Sequence, residues 1–375
     1  MKKISDDQLL DVAQQLIAIE STADNTPELY RAYDCMVNFV AARNKNITIE
    51  HFIRDGHKSF LAYRGPKRPD TFKIILNGHL DVVQGKPEQF RPYIKDGKLY
   101  GRGAYDMKAA AIVLADTFCD FVDTVPYNLG LQIVTDEEGS GNRGTEYQVA
   151  EGVRGDFVIC GECGRSPGDH EIANESKGIV ISDIEFKGTS AHGAYLWRGE
   201  NAILRATAFA HKLLEHYPVP SEEAHHTTVN ISSIRTTNTA LTKVPDNAAV
   251  TLDIRFVSDD PHFKNQQTFE ALVKQIDPSA TITKTLFNLP YYAAPDGPIM
   301  LQLKAAAEEV EKHPFTFVRR HGTSDARYYG MVGNEACEFG IAGVHSHADN
   351  EHITLKAFKN YRQTMRNFIE KTATA

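Results

Sequence analysis

Phe72-Lys-Ile-Ile-Leu-Asn-Gly-His-Leu-Asp-Val-Val83 decides how this chain is read. A short apolar β-rich run, Phe72–Leu76, ends in a glycine, a histidine and an aspartate. Two further runs, Leu131–Thr135 and Phe157–Cys160, are continuous and apolar, and an alanine-rich helical stretch from Met107 to about Val122 lies between the first run and these two. Continuous runs alternating with helices indicate strands buried on both faces of an α/β sheet. In such sheets ligands gather at the carboxyl ends of the strands. His79, Glu137, Glu138 and Glu162 all fall just past such ends, as a shared site requires.

Working outward, Ser5-Asp-Asp caps an amphipathic helix through Leu9, Leu10, Val12, Ala13, Leu16 and Ile17. Thr26-Pro27-Glu28 predicts a second helix with Thr26 as N-cap and Pro27 at its first position. Ile47–Ile53 and Ser59–Tyr63 read as strands. From about Lys177 the texture changes to alternation: Ile179–Lys187, a helix from Asn201 to about Tyr217, Thr227–Ile234, Ala249–Val257, a helix Phe263–Ile276 and a strand Ala280–Leu286. This β-α-β-β-α-β order predicts a two-layer α+β module of ferredoxin-like kind with a half-exposed antiparallel sheet. After Tyr291 the helix and buried-strand texture returns, ending in an amphipathic helix from Leu355. We therefore expect a discontinuous α/β domain, residues 1–176 and 291–375, with a mixed sheet flanked by helices, and an inserted domain at 177–290.

Size and composition agree. A chain of 375 residues exceeds one comfortable core, and 42% hydrophobic with 24% charged residues is ordinary for a globular protein. The net charge of −8 argues against nucleic acid or an anionic membrane as partner. No apolar run approaches the roughly 20 residues that span a bilayer. Met1-Lys-Lys-Ile-Ser-Asp-Asp7 lacks a signal-peptide core, so cytoplasmic residence is expected. The five cysteines (Cys35, Cys119, Cys160, Cys163, Cys337) are odd in number and scattered, as suits reduced thiols. Cys160-x-x-Cys163 has no second cysteine pair with which to build a zinc knuckle.

Each chemical residue has a plain reading beside the functional one. Alone, His79 and Asp81 are a surface histidine and a turn aspartate; together they suit a metal ligand with a carboxylate on its other ring nitrogen. Asp106 follows Gly101-Arg-Gly and precedes a helix, where the dipole alone would favour it. Glu137-Glu138 could be a solvated acidic turn. Adjacent carboxylates point in different directions, however, so one can hold a metal while the other accepts a proton from water. Imidazole mixed with carboxylate suits borderline cations such as zinc, and a carboxylate-rich set suits a pair of them.

The chain resembles the co-catalytic di-zinc metallopeptidase and deacylase family, which includes succinyl-diaminopimelate desuccinylases, acetylornithine deacetylases, aminoacylases and glutamate carboxypeptidases. Eight blocks carry the resemblance in order: Gly78-His-Leu-Asp-Val-Val, Gly101-Arg-Gly-Ala-Tyr-Asp-Met-Lys, Thr135-Asp-Glu-Glu, Gly161-Glu162, Gly188-Thr-Ser-Ala-His192, Asp253-Ile-Arg255, Gly322-Thr-Ser-Asp-Ala-Arg327 and His347-Ala-Asp-Asn-Glu351. The resemblance implies two zinc ions per chain, with cobalt or manganese able to substitute. His79 and Glu162 would bind one, Glu138 and His347 the other, and Asp106 both. Glu137 would be the general base, Asp81 would orient His79, and the Asp106–Met107 bond is a candidate cis peptide. In the family this histidine stands four residues before a glutamate, and of His345, His347 and His352 only His347, before Glu351, satisfies that spacing.

The resemblance also implies a homodimer through the inserted domain. His192 would reach the partner's site to stabilise the oxyanion, Arg255 would clamp a substrate carboxylate, and Gly322 and Thr323 would line the substrate. The substrate would be a small N-acyl amino acid or short peptide. Glutamate at 162 is the family's deacylase and carboxypeptidase habit. A dipeptidase or aminopeptidase on the same scaffold is the alternative, and a non-catalytic binding protein a remote one. Four positions depart from the family pattern: Cys163 replaces a proline, Ala109 a glycine and Thr242 an asparagine, and Gly193-Ala-Tyr-Leu-Trp-Arg198 lacks a proline. The last two put substrate identity in doubt rather than catalysis.

Overall fold

A computed structural model describes residues 4–139, 141–162 and 164–374. Cys163, half of the Cys-x-x-Cys, lies outside them. The chain divides into two compact units: one of residues 1–175, 291–318 and 324–375, the other of residues 176–290 and 319–323. Arg319–Thr323 thus joins the second unit, where Lys177 N donates to Arg320 O (3.0 Å).

The first unit is built on a mixed sheet in the order Ile47–Arg54, His57–Arg64, Leu129–Val134, Phe72–His79, Gly155–Cys160, Glu335–Glu338, Glu171–Ser176, Thr316–Arg320. Its centre is parallel. Phe72–His79 lies between Leu129–Val134 and Gly155–Cys160, with His79 level with Val134 and Asn77 level with Cys160. Every residue of Leu129–Val134 is buried, as continuous apolar runs predict. Three loops therefore leave neighbouring strands on the same edge, carrying His79 and Asp81, Glu137 and Glu138, and Glu162.

The alanine-rich stretch forms the helix Lys108–Phe121, buried at every position except Asp120. It packs on Phe72–His79 and against the helices Asp6–Ile17 and Leu355–Ala373. Alanines let these elements approach closely, while Phe118, fully buried, contributes about 1.5–3 kcal/mol by itself. Ser5 caps the first helix in a capping box with Gln8, as the sequence predicts. The second helix, Thr26–Arg43, starts one residue earlier than expected: Asn25 is its N-cap and Thr26 its first residue.

A small antiparallel sheet of Gly343–Val344, His352–Thr354, Lys98–Tyr100 and Tyr93–Lys95 also belongs to this unit. It sets Glu351 beside the Gly101–Asp106 loop, because Gly101 N donates to Glu351 O (3.1 Å).

The second unit is the expected two-layer module. Its strands Gly178–Lys187, Thr228–Arg235, Asn247–Phe256 and Thr281–Asn288 form an antiparallel sheet in which the first and third are central. That is the ferredoxin-like order. Asn247–Phe256 alternates strictly between half-buried and buried residues, and its buried side meets the helices Ala202–His216 and Gln266–Ile276 in one core. The latter helix begins three residues later than expected. Asn265 closes a capping box with Thr268, and Pro261–Phe263 is a separate 3-10 turn.

Candidate metal centre

His79 ends its strand fully buried. Its Nδ1 lies 2.9 Å from the carbonyl O of Asp81 and 3.5 Å from the Asp81 Oδ1. That contact leaves Nε2 to point the other way, 3.3 Å from Asp106 Oδ1 and 3.3 Å from Glu162 Oε1. Nε2 is buried and has no hydrogen-bond partner among the described residues. Asp106 turns its second oxygen to His347: Nε2 of His347 is 3.2 Å from Asp106 Oδ2 and 3.2 Å from Glu138. Ser346 Oγ donates to the same Asp106 oxygen (2.7 Å). The Asp106–Met107 peptide is cis.

Two groups have potential ligand atoms all within 4.8 Å of one another: His79, Glu137 and Glu162, and His79, Asp106 and Glu138. Among the three clustered histidines, His347 is the one on these carboxylates; His345 sits against the ring of His352, whose Nδ1 meets Asn350 O.

The Glu137–Glu138 loop is held from below. Asp81 accepts the Glu137 amide on Oδ1 (3.2 Å) and the Glu138 amide on Oδ2 (2.8 Å). Asp136 accepts the Arg143 amide (2.7 Å), and Asp325 accepts Thr145 Oγ1 (2.6 Å). A side chain at Gly144 would stand 2.3 Å from Asp136, and one at Gly141, whose φ is +67°, 2.2 Å from Asp325. Only glycine fits either place.

The electrostatics of the cluster favour positive charge at its centre. Burial would lower the pKa of His79, yet the charge of Glu162 and contacts with Asp106 and Asp81 hold it well above the ordinary value. Hydrogen bonds to Asp106 and Glu138 push His347 up to about 10. Asp106 stays well below the carboxylate range despite burial, through His347, His79 and Ser346. Burial and the charge of Glu162 push Glu137 well up, and burial raises Glu162 itself. Four carboxylates and two imidazoles thus crowd together, with His79 and Asp106 buried and His347 open to solvent. Buried charge is costly unless paired or metal-bound. The donor set, imidazole nitrogen with carboxylate oxygen, fits a borderline divalent ion, and the orphaned His79 Nε2 is where such an ion would sit.

The remaining expected residues lie in the second unit. His192 is exposed and its Nδ1 accepts the Ala194 amide (3.1 Å). Arg255 Nε donates to Asp253 (2.8 Å). Thr323 Oγ1 is 3.5 Å from Ser176 Oγ, Gly322 is exposed beside it, and His321 contacts Glu223.

Two charged residues of the first unit had no assigned role in the sequence reading. Asp325 is buried, and desolvation raises its pKa to about 7. Arg327 is buried with its guanidinium 4.3 Å from the Tyr328 ring centre, and the charge of Glu137 acts on it. The run Asp325-Ala-Arg327 was visible, but depth of burial was not.

An imidazole–carboxylate cluster at the carboxyl ends of parallel strands, with a second glutamate beside a candidate ligand, defines a metal-dependent hydrolase. The description of Peptidase family M20/M25/M40 matches residues 75–371, and the chain belongs to that family. It is a hydrolase of amide bonds that depends on divalent metal. A succinyl-diaminopimelate desuccinylase of Dechloromonas aromatica (strain RCB) is 29% identical over 98% of this chain and 100% of its own length. Another, from Polynucleobacter necessarius subsp. necessarius (strain STIR1), is 30% identical over 82% of this chain and 85% of its own. Two crystal structures share the fold. Aminopeptidase PepT from Bacillus cereus ATCC 10987 has a TM-score of 0.75 at 17% identity, covering 99% of both chains. The M20 family metallo-carboxypeptidase Sso-CP2 from Sulfolobus solfataricus also has 0.75, at 15% identity, over 98% of this chain and 100% of its own. No helix among the described residues is long and apolar enough to cross a membrane.

Proposed function

We propose that the protein removes the acyl group from a small N-acyl amino acid, cleaving an amide bond beside a free carboxylate. The observation that carries this reading is the Glu137–Glu138 pair: Asp81 accepts both main-chain amides, the Glu138 carboxylate lies 3.2 Å from His347, and that of Glu137 falls with His79 and Glu162. His79 and Glu162 would hold one divalent ion, Glu138 and His347 a second, and Asp106 both. Two zinc ions, with cobalt or manganese as substitutes, would acidify water and polarise the scissile carbonyl. Glu137 Oε takes a proton from the attacking water and returns it to the leaving amine nitrogen. Arg255 suits a substrate carboxylate, its planar fork matching two oxygens, and Gly322 and Thr323 would also line the substrate.

Deacylation is favoured over peptidase action by the full-length similarity to desuccinylases and by glutamate at 162. Purified protein with added zinc should hydrolyse N-succinyl or N-acetyl amino acids faster than dipeptides. Hydrolysis of dipeptides alone would replace this reading with a dipeptidase or aminopeptidase. We further propose a homodimer through the second unit, with the partner's His192 stabilising the oxyanion. Mixing inactive His192→Ala with inactive Glu137→Gln subunits should restore part of the activity. If exchange occurs and the hybrids stay inactive, His192 does not act across subunits.

A further inference from the structure

Glu351 is 1% exposed, negatively charged, and absent from the set of expected ligands. Its Oε1 accepts three main-chain amides of one loop: Gly103 N (2.9 Å), Tyr105 N (2.9 Å) and Asp106 N (3.1 Å). Its Oε2 accepts Arg102 Nη1 (2.7 Å) from the same loop. Its own carbonyl takes the Gly101 amide. The whole Gly101–Asp106 segment is therefore wrapped around one side chain. Such convergence needs a backbone that turns its amides inward, and Gly103 supplies it with φ +90° where a side chain would meet Lys108 at 2.8 Å.

Glu351 also stands four residues after His347, in a loop fastened from its other side by Gln89 Nε2 to Ala348 O (3.0 Å). It thereby joins the two chain segments whose side chains meet at 3.2 Å, Asp106 and His347. We infer that Glu351 is the positioning residue of the metal centre: its carboxylate sets the separation and angle of Asp106 and His347 without touching an ion. The inference rests on the metal reading proposed above, and it gives a physical reason for the spacing His347-x-x-x-Glu351. Groups that orient ligands from behind commonly affect metal affinity by about 10–100-fold.

Two variants of the full chain test this, both read by zinc binding rather than by activity. Glu351→Gln keeps the length but sets an NH2 group or a weaker acceptor against Arg102 and the three amides. Glu351→Asp keeps the charge but withdraws it by one methylene. Each metal-free protein would be checked by circular dichroism and melting, then dialysed against buffered zinc with elemental analysis. Both variants should fold and bind zinc at least about tenfold more weakly than the wild type. A folded variant with wild-type zinc affinity overturns the inference; for Glu351→Asp that result would mean charge suffices and geometry does not matter. Failure of both to fold would also overturn it, making Glu351 a residue of the fold. A wild-type protein that takes up no divalent ion would sink the proposed function and this inference together, a distinct outcome from a normal wild type with normal variants.

Discussion

The two ends of the helix Lys108–Phe121 meet buried carboxylates in opposite ways. Near its carboxyl end, Asp116 and Asp120 are matched by arginines. Arg43 contacts both, at 2.6 Å to Asp120; Arg362 reaches Asp116 at 2.8 Å and Asp6 at 2.6 Å; and Arg366 pairs with Asp120. Three acids face three guanidinium groups, and the charges cancel within the chain. Before its amino end, Asp106 joins Glu137, Glu138 and Glu162 around His79 and His347, with Arg327 acting on Glu137 by its charge. The guanidinium network is closed, whereas on the proposed function a cation from outside would complete the carboxylate cluster. The same cost of burying charge produces rigidity in one place and a binding site in the other.

Removing the outside cation should have the largest effect. Chelation should abolish activity, and zinc should restore it, while the arginine network keeps the helices assembled. Full activity in metal-free protein, verified by elemental analysis, would erase the distinction between the two ends. Within the cluster, Glu137→Gln keeps size and hydrogen bonding but cannot take a proton, so kcat should fall at least about a hundredfold with metal content unchanged. Glu138→Ala should instead lose metal. Reversed behaviour of these two variants would exchange their roles.

The closed network should respond in stability rather than chemistry. Asp116→Ala would leave buried Arg43 with Asp120 and buried Arg362 with Asp6 as their remaining carboxylates, and should cost roughly 1–3 kcal/mol of folding free energy. Urea unfolding measures that loss. Zinc content should remain that of the wild type, and a large drop in bound zinc would show that the two ends are coupled through the helix.

The cluster was more legible in the sequence than the network. Strand ends and adjacent glutamates are local features that pointed to His79, Glu137, Glu138 and Glu162, and the family resemblance, carried by short local motifs, added Asp106 and His347. The central strands were equally readable, because burial on both faces makes their runs continuous. Arg43, Asp116 and Arg362 are far apart in sequence, and nothing local tells a paired buried arginine from a solvated one. Asp81 was expected to act on His79, but its anchoring of two amides more than fifty residues away depends on strand register. The small sheet beside Glu351 escaped notice since strands of two or three residues carry no readable period.

A half-buried pair in the second unit sharpens the comparison from the other side. Asp277 accepts Arg205 at 2.7 Å from one nitrogen on each oxygen, and Ser279 adds further bonds. Burial would raise the Asp277 pKa, but Arg205 and Ser279 outweigh it and hold it at about 2, below its ordinary 3.8. A carboxylate depressed in the folded state stabilises the fold fully above its unfolded pKa. That contribution fades as pH falls from about 4 toward 2. Because the pair keeps contact with solvent on one side, screening should keep its worth to about 1 kcal/mol or less. Arg205→Met should therefore reduce stability slightly at neutral pH, with the difference from wild type shrinking on acidification through that window. Melting curves at a series of pH values and two salt concentrations would read it. A loss as large as that of Asp116→Ala, or one indifferent to salt, would mean that exposure does not separate the two kinds of pair.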